Sequence, residues 1–329
     1  RSANPRASPG GRSLNADPQL RPVSVPVVTH VKASPLALTV DTTSEEAFIA
    51  IVGACLTNAE ANRPAVLDEQ VEGVHQMRVA YRRLRSGLKI FRPLVPREVS
   101  AELVAGIRWL NGFLGPARDW DVFLEEGMLP VFARFPRKRG LHLFRARAET
   151  LRRSHHRSLR AALEEPRYPL LLQQFADWLD RRAWRENLTD LRRERLDRPV
   201  LKFATPLLED DYRRVLKRGE DFIRLTAEER HALRIRIKEL RYALDFFASL
   251  YPVPSVKPFL GALAKLQDDL GIMNDIAVTR RLLDEARLNT VSAARQVIDG
   301  WYGCRLDVHE DQFAESWRRF VECERPWKE

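Results

Sequence analysis

Cysteine, long apolar runs and alternating strand patterns are all scarce in this chain, and each shortage argues against a class of protein. Only Cys55, Cys304 and Cys323 are present, an odd number at wide spacing with no C-x-x-C pair. Neither a disulfide framework nor a zinc site is supported, and a reduced, cytoplasmic setting is expected. No apolar run is long enough to span a bilayer, and no signal peptide is visible, so no membrane partner is expected. Ser, Cys or His nucleophile arrangements are absent. His155-His156 has no carboxylate or third histidine at ligand spacing, so we expect no catalytic residue, no metal and no cofactor. The first residue is arginine rather than methionine, which points to a fragment or a processed chain.

Acidic residues are also fewer than basic ones. Lys and Arg number 55 against 45 Asp and Glu, a formal net charge of +10 with a pI near 9.8. Such a balance favours a polyanionic partner. With 329 residues and 44% hydrophobic content, the chain can build one large or two medium cores.

Residues 1–42 are rich in Pro, Ser and Arg without helical period, and are expected to be a disordered segment or linker, with 31–40 (VKASPLALTV) docked as an extended piece. From Thr43 onward the pattern is helix after helix. Thr43-Ser-Glu-Glu46 is a start signal, and Gly115-Pro116 is expected to stop a helix that begins near Pro96. The fold class is all-α.

An internal repeat dominates the chain. Shifted by 156 residues, His75-Gln-Met-Arg78-Val falls on His231-Ala-Leu-Arg234-Ile, Leu84-Arg85 on Leu240-Arg241, and Phe91 on Phe247. The register continues without a gap, with Leu114-Gly115 on Leu270-Gly271, Asp119 on Asp275 and Val122 on Val278. A constant offset over this length predicts two four-helix bundles, about 43–185 and 200–327, related by internal duplication and a pseudo-twofold.

At about 100° per residue, His75, Arg78, Arg82, Arg85 and Lys89 share one stripe beside the apolar stripe of Val74, Met77, Tyr81, Leu84 and Leu88. The cationic row is about 20 Å long, with Arg83 beside it, and no acid occurs from His75 to Arg92. Like charges at this spacing repel by a few tenths of a kcal/mol per pair, so an external anion or acids from another helix must offset them. The second segment repeats the row as His231, Arg234, Lys238 and Arg241, but carries Glu239 in place of Arg83 and Asp245 in place of Lys89. It is expected to bind more weakly or differently. Arg145, Arg152, Arg153, His156 and Arg160 form another basic run, and Arg214 and Lys217 a shorter one; both are candidate extensions of the groove. Asp119 and Asp275 are read as N-caps or as partners that orient the arginines.

These motifs, H-x-x-R-V-x-x-R-R-L-R at 75–85, H-x-L-R-I-x-I-K-E-L-R-Y at 231–242 and L-G-x-x-x-D at 114–119 and 270–275, resemble the CHAD (conserved-histidine α-helical) domain. The resemblance spans about 43–327. It implies two four-helix bundles around a basic groove that binds inorganic polyphosphate without catalysis, with polyphosphate granules as a further partner. It also implies that the Pro-rich start is a connector from a CYTH partner domain. The E-x-E-x-K signature of that partner is absent, so no triphosphatase activity is expected. Guanidinium forks suit a linear array of phosphates, and binding should tighten below about pH 6.5 if the histidines charge. The competing readings are an RNA-binding helical protein and an enzyme of phosphate metabolism. The tryptophans do not interleave with the cationic row, which argues against stacking on single-stranded nucleic acid.

Overall fold

A computed structural model describes residues 29–289 and 292–328. Among these the only regular elements are helices, with no named strand and one isolated bridge between Thr43 and Pro199. The first segment of the chain supplies α1 (Ser44–Leu67), α2 (Val71–Ile90), α3 (Ala101–Val122), a short α4 (Leu129–Arg134), α5 (Arg139–Glu164) and α6 (Arg167–Asp180). After α7 (Asp190–Asp197) come α8 (Leu201–Gly219), α9 (Ala227–Phe247), α10 (Val253–Asp269), α11 (Gly271–Glu285) and α12 (Ala293–Glu322). Helix α2 begins at Val71 and α9 at Ala227, a separation equal to the sequence offset, while α12 begins 154 residues after α5, two short of it.

The start of α1 follows from its residues. The Thr43 side chain accepts from the Glu46 backbone N–H while Glu46 reaches back to the Thr43 N–H, a capping box; Thr226 and Glu229 repeat it at α9. The expected stop at Gly115-Pro116 is corrected. Helix α3 runs through Pro116 to Val122, because Leu114, Ala117 and Trp120 are all fully buried and their packing outweighs one missing backbone hydrogen bond. In the second segment the helix does break at that place, between α10 and α11.

The two segments do not enclose separate cores. One apolar cluster runs from Leu38 through α1, α2 and α3 into α8, α9, α10 and Trp327. A second joins Trp120, Phe123 and Phe144 of the first segment to Leu282, Leu283 and Ile298 of the second. Helix α2 lies at the centre because it can approach closely: a Cβ on Gly87 would stand 2.9 Å from Ile51 on α1 and 3.9 Å from Phe246 on α9. Each segment is also closed by a tryptophan that returns to an early glutamate. Trp184 Nε1 donates to Glu45 Oε1 at 2.9 Å, with Arg185 and Arg182 on the same carboxylate, and Trp327 Nε1 donates to Glu209 Oε2 at 3.0 Å beside Arg325.

Residues 1–28 of the expected disordered segment lie outside the described residues. For 29–42 the expectation of disorder is corrected, and the docking of 31–40 is seen. This strap crosses α1, where Asn62 Oδ1 accepts from the Val31 N–H at 2.9 Å and the Asn58 and Asn62 amides donate to the Val31 carbonyl. It then reaches Ser249, whose hydroxyl group bonds both the N–H and the carbonyl of Leu38. Polar side chains thus satisfy a strand-less backbone that would otherwise stay in water. Asn62 is fully buried, so Asn62→Ala should cost about 1–3 kcal/mol. A lower Tm together with faster proteolysis between 31 and 38 is the expected readout.

Candidate polyanion-binding groove

Helix α2 crosses α9, and the crossing, walled by the N-terminal half of α3 and by α8, leaves an open groove of about 660 Å³. Its cations are Arg82, Arg85, Lys89 and Arg92 from the α2 row and its continuation, Arg97 and Arg108 around the start of α3, Arg214 on α8, and Arg236 and Lys238 on α9. Two acids share it, Asp211 and Glu239. Asp211 accepts from Arg214 at 2.9 Å, and Glu239 accepts from Arg236 at 2.9 Å and from Lys89.

Arg82, Arg85, Arg92, Arg97, Arg108 and Lys238 stand differently. No carboxylate pairs with any of them among the described residues. The Arg82 guanidinium lies 5.7 Å from the Tyr242 ring centroid, a cation–π contact that holds it over the groove. Lys238 is half-buried. Burial first, and then Arg234, Arg82 and Arg78, push its ammonium down to about 7, while Asp275 opposes the shift. Arg234 behaves likewise: burial lowers its affinity for a proton, Arg82 adds to the effect, and its Nε has no hydrogen-bond partner. His75 is lowered by burial, then by Arg118, with Arg82 a smaller contributor. These side chains are therefore held in mutual repulsion.

The other expected residues are placed as follows. Arg78 lies beside the groove. Its Nη1 donates to Asp119 Oδ1 at 2.8 Å, and Asp119 Oδ2 in turn accepts from Arg281 of α11 at 2.6 Å. Asp119 is inside α3, so of its two expected roles it plays that of arginine partner rather than N-cap. Asp275 stands close enough to Arg234 to act on it electrostatically. Arg83 is not in the groove: it pairs with Asp245 and stacks 4.8 Å over Phe246, on the side of α2 that faces Cys55. Arg241 lies outside as well, donating to Gln267 at 3.0 Å, and His231 is exposed near the start of α9.

Among the proposed extensions only Arg214 lines the groove. His156 is buried with its Nε2 2.9 Å from Asp121 Oδ1, and Arg152 Nε donates to the same oxygen at 2.7 Å, so both are engaged inside the protein. Arg160 bonds Glu164 and the Leu67 carbonyl. Arg145 stacks 5.2 Å from Phe132, and Arg153 and Lys217 are exposed away from the groove. Sequence reasoning missed Arg92, Arg97, Arg108 and Arg236; of these only Arg92 carries a signal, because it continues the three-and-four spacing of the row.

The two departures between the segments acquire a physical meaning. Arg83 pairs with Asp245, and Lys89 with Glu239. Each pair joins one position to the offset-mate of the other, as residues related by a twofold would be joined. Glu239 and Asp245 turn what would be two cation–cation contacts into two ion pairs. These two acids therefore also have a structural role: they lock α2 to α9.

No curated protein matches the chain. Its structure is similar to the crystal structure of the CHAD domain from the plant Ricinus communis, with 32% identity, a TM-score of 0.77, and coverage of 91% of this chain and 98% of that one. It also shares the fold of PptA from Streptomyces chartreusis, at 14% identity and a TM-score of 0.61 over 84% of this chain and all of the other. The CHAD domain family matches residues 50–284. With its doubled His–Arg helix at the centre of an all-α fold, the chain belongs to the CHAD domain family.

Proposed function

We propose that the chain binds inorganic polyphosphate, without catalysing a reaction on it, in the groove between α2 and α9. The observation that carries this reading is the set of half-buried or exposed cations, Arg82, Arg85 and Lys238, that face one cavity without a counter-charge. Holding them together is unfavourable in the empty groove, and a row of phosphates removes the repulsion and replaces it with charge-assisted hydrogen bonds. Polyphosphate presents charge at every unit and no bases or sugars to read, which matches a site built of cations. In the cytoplasm such binding would bring the chain to polyphosphate granules. RNA is the competitor to exclude: if RNA of equal charge displaces long-chain polyphosphate at physiological salt, the assignment is wrong.

Replacing Arg82 and Arg85 together by Ala should weaken polyphosphate binding by about 1–3 kcal/mol per arginine and reduce the salt slope by roughly one for each. Both are exposed, so the Tm should hold. Arg83→Ala should do the opposite, lowering the Tm and sparing affinity, because Arg83 serves the α2–α9 contact. Titration calorimetry and thermal melts on the two variants separate the roles.

The pH dependence follows from Lys238. Its ammonium is depressed to about 7 in the free groove, and a bound polyanion raises it towards its ordinary value. Between those two values the complex holds a proton that the free protein lacks, so binding takes up a proton and tightens as pH falls from about 10 towards 7, the Lys238 contribution levelling off below. His75 is also depressed and adds to the same trend at lower pH. Calorimetry in buffers of different ionisation enthalpy should show proton uptake near pH 7.5 that disappears in Lys238→Arg.

A further inference from the structure

The groove is not cationic throughout. The wall formed by α8 and α9 mixes apolar side chains with paired charges, for Arg214, Arg236 and Lys238 line it beside Asp211 and Glu239. Leu207 and Asp211 lie one turn apart on α8, Ile235 and Glu239 one turn apart on α9, and all four line the cavity. Ile235 is 42% exposed, the sort of apolar side chain that a covering ligand would shield. Val104 of α3 lines the same cavity. The carboxylates of Asp211 and Glu239 are mostly buried, with side-chain exposures of 13% and 18%. Burial, opposed by Arg214 and reinforced by Glu239, raises the Asp211 carboxyl above its ordinary value. Such a wall gives apolar surface to a planar body, and the carboxylate lone pairs not used in the ion pairs can accept from N–H donors. The volume of about 660 Å³ is that of a small-molecule site and larger than a thread of phosphates needs.

We infer that the groove also takes nucleoside polyphosphates, with the phosphates on Arg82, Arg85 and Lys238 and the base against Ile235, Leu207 and Val104, its N–H groups facing Asp211 and Glu239. This deepens the reading of the groove as an anion site and rests on it. Discrimination comes from the wall. Inorganic tripolyphosphate has the same three phosphates, at least as much charge and no base, so electrostatics alone would favour it over ATP.

The test is a set of titrations at one salt concentration, without divalent metal, using ATP, inorganic tripolyphosphate and long-chain polyphosphate. Wild-type protein should bind ATP about tenfold more tightly than tripolyphosphate, the effect of burying part of a base. Ile235→Asn, a change at an exposed position, should bring the two within about twofold and leave tripolyphosphate and long chains unaffected. Tripolyphosphate equal to or tighter than ATP would overturn the inference, and so would an ATP preference that survives Ile235→Asn. In either case retained binding of the long chain leaves the polyphosphate reading standing. Loss of all three ligands would remove both.

Discussion

The structure turns on the crossing of α2 over α9. Everything distinctive about the groove depends on two long cationic helices being held face to face, a contact that Coulomb's law opposes at every turn. Apolar packing supplies the gross attraction: Tyr81, Leu84, Leu233, Ile237 and Leu240 are all fully buried in one cluster. On its other side, the absence of a side chain at Gly87 lets α2 close onto Ile51 of α1. Arg83–Asp245 and Lys89–Glu239 then fix their register from both sides. With the crossing fastened this way, Arg82, Arg85 and Lys238 can remain without partners at no cost to the fold beyond their own repulsion.

A division of labour among chemically identical residues follows. Arginines one position apart on α2 do unrelated things: Arg82 faces the groove over Tyr242, and Arg83 faces a carboxylate and Phe246. At 100° per residue, neighbours in sequence point to different elements. The basic run on α5 makes the same point, since Arg152 and His156 converge on buried Asp121 and tie α5 to α3 instead of meeting a ligand. A charge count does not say which cations are left free to meet a ligand; that is decided by what packs behind each one.

Much of the fold was legible because the repeat carried it. The constant offset placed α2 and α9, the capping box at Thr43 marked the start of α1, and the apolar stripes named the core. What escaped were features decided between elements distant in sequence. Helix α3 continues through Pro116 because Trp120 has a buried seat against the second segment. Helix α7 is a short, highly charged helix with little apolar period to announce it. The strap is held by Asn58, Asn62 and Ser249, whose use could not be read locally. In the groove, the α2 row and Lys238 were visible from spacing, whereas Asp211, Leu207 and Arg97 belong to it only because α8 and the start of α3 close around the crossing.

The reciprocal ion pairs bear on how a chain of this kind is assembled. Were the first segment to dimerise with itself in the same crossing, Arg83 would face Lys89 on both sides of the axis. The second segment alone would set Glu239 against Asp245. Neither half is self-complementary at these positions, and each is complementary to the other. At these positions each half carries the charges that the other half, and not a second copy of itself, can meet, so the two are not interchangeable.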